Sequence, residues 1–361
     1  MDHNNDKEIS QEKLLDLINK LLLLVIVLIC GLIFIPLIWI FRDQKNSNND
    51  QSGTPKIDSA KAVISYWKAR DIDSVSDPVE KAKIQYGKDL IMHTAKYLGP
   101  NGTVMKISNG MNCQNCHLEA GTKVFGNNYG SVHSLYPKFR ARSGSVENIY
   151  KRINDCVQRS LNGRALDTTG KEMQAIAAYI NYIGSNVETG KKASGSGLKD
   201  LDFLDRTADS LKGRSVYVAK CQSCHQPGGE GLLMADNTEY IYPPLWGPGS
   251  YNDGAGLFRI SNFAKYVKYN MPQGTRHENP QLTDEEAWDV AAYVNSRPRP
   301  HLDVPTDWPD RSKKPVDHPF GPYTDSFPEW QHKFGPFKAI AKAQKQREDQ
   351  EAKKKKTSST K

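Results

Sequence analysis

Hydrophobic positions along the chain follow three patterns. The first is unbroken: Leu21 to Phe41 reads LLLLVIVLICGLIFIPLIWIF with no charge, a length suited to crossing a bilayer. A cleaved signal peptide would have a shorter apolar region and an A-x-A-like site, and neither is present. A transmembrane anchor is therefore expected over residues 21–41, with a polar tether over 42–60. The second pattern is helical. Asp77 reads as an N-cap, with Pro78 at the first helical position and Glu80 in a capping box. That helix passes Tyr86, Leu90 and Met92 toward Leu98, and Gly99-Pro100 stops it. A second helix is expected from roughly Val146 to Leu161, after Ser145. A third, from about Thr169, carries Met173, Ile176, Ala177, Tyr179, Ile180 and Ile183 at helical spacing.

The small residues of Lys191 to Gly197 read as a hinge, after which the pattern repeats. A helix from about Ala208 to Ala219 precedes Gly- and Pro-rich loops, and a last helix starts at Thr283 with Glu286 completing its capping box. Its AAYVN, Ala291 to Asn295, echoes AAYIN at Ala177 to Asn181, so an internal duplication is the economical reading. The third pattern is irregular. Pro298 to Phe337 is rich in Pro and aromatics, and Trp308, Phe320, Trp330 and Phe334 are too apolar for a free linker. The expected order is a domain over 61–190, a linker over 191–207, a second domain over 208–300 and a packed extension over 301–340. A basic mobile tail over 341–361 closes the chain.

Charge changes this picture little. The formal excess of +8 is uneven, and much of it lies in the last twenty residues, including Lys353 to Lys356. A terminal lysine run is ordinarily a solvated tail. Elsewhere there is no helix-turn-helix, zinc-finger or RRM signature, which excludes nucleic acid as a partner. Cysteines change the picture a great deal. Cys30 lies in the apolar run. Cys113, Cys116 with His117, and Cys221, Cys224 with His225, form two C-x-x-C-H motifs, the attachment signature of c-type haem. Two copies in one repeated helical frame outweigh a zinc or redox C-x-x-C, so two covalently bound haem c groups are expected, with His117 and His225 as iron ligands. The fold class that follows is all-α: two tandem class I cytochrome c domains with an N-terminal transmembrane helix and an irregular C-terminal extension.

The remaining iron ligands need separate arguments. Met234 and Met271 are the only methionines after His225. Met271, in Asn270-Met271-Pro272 between loop and last helix, is favoured over a core-filling role. Between His117 and the third helix there is no methionine, but there are His133 and Cys156. Arg152 lies four residues before Cys156 and Ser160 four after, so all three share one helical face. A guanidinium beside a thiol favours the thiolate that binds metal or attacks sulfur. His133 stays open as the alternative. Arginine also suits small oxyanions, although Arg142, Arg152 and Arg159 admit a plainer reading as a solvated face or as contacts to haem propionates. For Arg159 the plainer reading is preferred.

YKRINDCVQRSLNGRAL, with Phe139-Arg140-Ala141-Arg142 before it, resembles the dihaem thiosulfate dehydrogenase family, whose members also act as tetrathionate reductases. The resemblance runs through both C-x-x-C-H motifs and the NMP segment into DWPD, KPVDHPFGPY and QHKFGPF, most of residues 80 to 338. It implies an active-site haem 1 held by His117 and Cys156, with Arg142 and Arg152 binding substrate. It also implies a relay haem 2 held by His225 and by Met or Lys. Some relatives carry lysine directly before the methionine. Here that position is Asn270, which favours Met271.

The activity implied is the coupling of two thiosulfates to tetrathionate, or the reverse, with electrons passed on to a cytochrome or quinol-linked partner. In the family model the cysteine sulfur also bonds transiently to substrate sulfur. Lysines before the apolar run and basic residues after it nearly balance, so orientation comes from haem attachment. That places residues 1–20 in the cytoplasm and the haem domains on the periplasmic side of the cytoplasmic membrane. Two rivals are a membrane-anchored dihaem electron-transfer cytochrome with no substrate of its own, such as an oxidase-associated subunit, and a subunit that joins thiosulfate to a carrier protein.

Overall fold

One glycine in each half lets two helices touch at backbone distance. A Cβ on Gly87 would lie 2.0 Å from the Ala175 carbonyl oxygen, and one on Gly213 would lie 1.9 Å from that of Asp289. Both glycines also face a tyrosine of the repeated AAY triplet, Tyr179 and Tyr293 respectively. The duplication is thus built into the same helix crossing twice. The protein is seen here as a computed structural model that describes residues 16, 19–30 and 65–358. Residues Met1–Val63 and Ile64–Lys361 form separate units.

In the first unit, residues 19–30 are helical and exposed. Among the described residues no helix is long and apolar enough to cross a membrane. This overturns the expected single-pass anchor, and with it the localisation at the cytoplasmic membrane. Residues 31–41 of the expected span and the tether over 42–60 lie outside the described residues.

The second unit is mostly helical around two apolar cores. The first core joins α1 (Pro78–Met92), α2 (Ile149–Arg159) and α3 (Lys171–Gly184). Asp77 caps α1 by accepting from the backbone N–H of Val79 and Glu80. Ile84, Leu90 and Ile91 are buried in one cluster with Met173, Ile176, Ile180 and Ile183 of α3. The second core joins α4 (Ser210–Lys220), α5 (Ile260–Asn270) and α6 (Asp284–Asn295). The capping box of α6 forms as read from sequence, with Thr283 and Glu286 each accepting from the other's backbone N–H at 3.1 and 2.8 Å. Fully buried Tyr217 and Trp288 anchor this core, with Phe263 beside them.

Three local expectations change. The second helix starts at Ile149 rather than Val146, because β3 (Ser145–Glu147) pairs antiparallel with β2 (Lys138–Arg140), and Asn148 caps the helix by accepting from Lys151 N–H. The segment read as a hinge is clamped. Ala193 and Ser196 are buried, Ser194 O accepts from Trp67 N–H at 3.0 Å, and β4 (Gly197–Leu198) pairs with β1 (Gly126–Asn128). The tail is helical, as α7 (Lys338–Ser358), with Ile340 only 1% exposed. Arg347 there donates to Thr324 Oγ1 at 2.6 Å and to Ser312 O at 3.1 Å.

The segment before α7 lies on the second core although it has almost no regular structure. Phe337 packs on Trp288 with ring centroids 5.6 Å apart, and His332 is stacked on Tyr323 at 3.7 Å. Trp330 stays 54% exposed. The strongest pin is Asp317, whose fully buried carboxylate accepts from Arg259 Nε at 2.9 Å and Ser261 N–H at 3.0 Å. Burial pushes this carboxyl up, but Arg259 and the Ser261 donors outweigh it and hold it below its ordinary 3.8. Asp317→Ala strands the Arg259 charge and should cost about 3 kcal/mol in denaturant unfolding. Because the folded value is the lower one, this stabilisation is complete above pH ~4 and is lost as pH falls further. Wild-type stability should therefore drop more steeply than the variant's on the acid side.

Candidate functional site

The helix α2 turns one polar face toward a cavity. Arg152, Cys156 and Ser160 follow one another along it, with Asp155 and Arg159 alongside, and all five line one cavity of ≈ 330 Å3. Cys116, His117 and Arg142 complete its first wall. Arg142 arrives from the loop between β2 and β3, and its carbonyl accepts from the Trp308 N–H at 2.6 Å. The local β-hairpin therefore delivers one arginine and the helix delivers the other.

His117 is oriented for ligation. Its Nδ1 donates to the Asn127 carbonyl at 2.5 Å, and the ring stacks on Tyr129 at 4.5 Å. That leaves Nε2 as the free donor atom toward the cavity. The side chains of His117 and Cys156 line the same cavity and interact there. Burial pushes the Cys156 thiol up, but the Arg152 guanidinium and His117 outweigh it and bring the thiol down to about 7. Arg152 is in turn held above its ordinary value, chiefly by Cys156. Cys113 and Cys116 behave oppositely, pushed up by burial to about 11 and about 12. Of these three cysteines, only Cys156 sits in an electropositive setting.

Arg142 and Arg152 make no side-chain hydrogen bond among the described residues. Burial lowers Arg142 to about 10, and the neighbouring Arg159 and Arg152 act in the same direction. Arg159 is different. It is buried and gives a bidentate pair to Asp307 at 2.9 and 2.8 Å, so it does not lie on a solvated face. His133 is exposed and lines another cavity, with Glu80, Lys83 and Tyr150, which removes it as a partner for His117.

The second motif faces a larger cavity of ≈ 820 Å3. Cys221, Cys224, His225, Met271 and Met234 all line it, among Pro243, Leu245, Phe263, Val267, Val290 and Val294. His225 repeats the orientation of His117, with Nδ1 donating to the Pro243 carbonyl at 2.8 Å. Met271 caps α5 and packs on the core, whereas Met234 is 38% exposed on a short hairpin. The same cavity reaches Asn115 and Cys116 of the first motif, and Tyr266 Oη donates to Asn115 O at 2.6 Å. Each half offers thiols for two thioethers and an oriented imidazole, which fit a haem c; the second half adds an apolar slot, whereas the first cavity is mostly polar.

Sequence reasoning missed Asp307, Asn262 and Lys265. The DWPD motif carried a signal for the first. No local pattern marks the other two, which reach the first cavity from α5 of the second core.

Fold and site together define a c-type cytochrome of two haem-binding halves. Residues 104–188 match the SoxA/TsdA cytochrome c domain and residues 210–298 match the cytochrome c domain. Thiosulfate dehydrogenase of Allochromatium vinosum is 39% identical over 204 residues, 55% of this chain and 74% of that one. Thiosulfate dehydrogenase of Psychrobacter arcticus is 35% identical over 245 residues, covering 67% and 72%. Among solved structures, thiosulfate dehydrogenase (TsdBA) from Marichromatium purpuratum superposes with a TM-score of 0.60 at 31% identity. That match covers 65% of this chain and half of the solved one. The chain belongs to the thiosulfate dehydrogenase family.

The Arg159–Asp307 pair ties the extension to α2 at the cavity wall. Removing either partner should cost about 3 kcal/mol in denaturant unfolding, and removing both should cost less than the sum of the single losses. A double-mutant cycle of Arg159→Ala and Asp307→Ala measures this coupling.

Proposed function

We propose that the chain couples two thiosulfate ions oxidatively to tetrathionate, or runs the reverse. The half-reaction is 2 S2O3(2−) → S4O6(2−) + 2 e−, with no proton exchanged. The observation that carries this reading is the meeting of Cys156, His117, Arg142 and Arg152 in one cavity. Each haem c supplies a one-electron acceptor when bound, held through Cys113, Cys116, His117 and Cys156 in the first half and through Cys221, Cys224, His225 and Met271 in the second. The group held by the second half would supply the outlet toward a cytochrome or quinol-linked partner.

The chain's own contribution is electrostatic and positional. Two thiosulfate dianions repel one another, and Arg142 and Arg152, with donors unused within the protein, offset that repulsion. Their planar forks also orient the sulfonate ends. Cys156 presents sulfur to the bound anions in the thiolate form that Arg152 favours. The Asn127 and Pro243 carbonyls fix which nitrogen each histidine presents.

Cys156→Ala should retain both haems, because attachment uses the other four cysteines, yet lose tetrathionate formation and reduction. Arg152→Ala should lower kcat/KM by about one to two powers of ten, the range for a charged hydrogen bond, with poor rescue by lysine. Steady-state assays with purified protein and no carrier test both, and a Cys156→Ala protein with wild-type turnover would refute the site. In the second half, Met271→Ala should abolish the methionine-to-iron charge-transfer band of the oxidised protein. An unchanged band would hand that role to Met234.

A further inference from the structure

Charge at the first cavity is unevenly supplied. Of its arginines, Arg159 is already neutralised by Asp307, and Arg152 faces Cys156. Asp155, on the same wall, is paired with Lys151. Arg142, like Arg152, makes no side-chain hydrogen bond or ion pair among the described residues. Two thiosulfates bring four negative charges, and tetrathionate keeps two, one at each end of a chain of four sulfurs. An anion extended in this way needs cations at separated points.

The remaining cation on the cavity lining is Lys265, in the middle of α5. Asn262, one helical turn earlier, lines the same cavity and supplies a neutral amide. The Lys265 side chain is only 22% exposed, yet its ammonium is paired at 2.8 Å with Asp200, whose carboxylate is 98% exposed. A pair to so solvated an acid is weak, and exchanging it for a sulfonate costs little. The stem therefore fixes Lys265 at the cavity while its charge stays available.

We infer that Lys265 is a substrate-binding residue contributed by the second half of the chain, holding the sulfonate end that Arg142 and Arg152 do not reach. The helix that carries Met271 to one cavity then closes the other, so the substrate site is complete only when both halves are docked. This inference rests on the thiosulfate reading of the site.

The test is steady-state kinetics on the full haem-loaded chain with thiosulfate, and with tetrathionate in reverse, for wild type, Lys265→Gln, Lys265→Arg and Asp200→Asn. Lys265→Gln should raise KM by about three- to tenfold, with kcat within about twofold and an unchanged visible spectrum. Lys265→Arg should restore most of the affinity. Asp200→Asn should leave KM at or below the wild-type value, since it frees the ammonium. If Asp200→Asn instead copies the Lys265→Gln defect, the lysine serves only to hold Asp200 and the inference falls. It falls equally if Lys265→Gln leaves KM unchanged while the wild type turns over. A wild type with no turnover of either anion overturns the proposed function itself.

Discussion

A thiolate enclosed in protein persists only beside a fixed cation, and the first half of this chain is arranged around that requirement. Desolvation favours the neutral thiol, and Arg152, one helical turn from Cys156, reverses the preference. The pair needs α2 to start where it does. Were the helix to begin at Val146, the β2–β3 hairpin would be lost, and Arg142 with it. The cap at Asn148 therefore sets both the helix start and the room for the hairpin that delivers Arg142.

Holding several arginines at one wall is costly unless something compensates. The irregular extension supplies the compensation through Asp307, which pairs with Arg159, and through the Trp308 N–H, which fixes the Arg142 carbonyl. The same extension is pinned to the second core by Asp317. A segment almost without secondary structure thus ties the wall of the first cavity to the other half. Its rigidity comes from buried charge pairs and stacked rings rather than from a backbone ladder.

The helix α5 links the two sites by geometry. Asn262 and Lys265 line the smaller cavity, while Phe263, Tyr266, Val267 and Met271 line the larger one. Tyr266 also donates to the backbone of the first C-x-x-C-H motif. The clamped segment over 191–197 and the β1–β4 pairing keep the halves in register. Such close docking explains why the two halves form one unit.

By itself the sequence determined what local chemistry dictates. The C-x-x-C-H motifs, the caps at Asp77 and Thr283, the AAY repeat and the Arg152–Cys156 spacing are all set within a few residues, so periodicity and capping expose them. Tertiary structure decided whatever depends on partners distant in the chain. Arg159 reads as a surface residue until Asp307, 148 residues on, arrives to neutralise it. The segment over 191–197 has the composition of a hinge, but Ser131, Trp67 and β1 hold it still. The lysine-rich end reads as a loose tail until Ile340 and Arg347 find the extension. Lys265 carries no mark in the sequence, because only the docking of one half on the other turns an ordinary helix position into a wall of the first cavity.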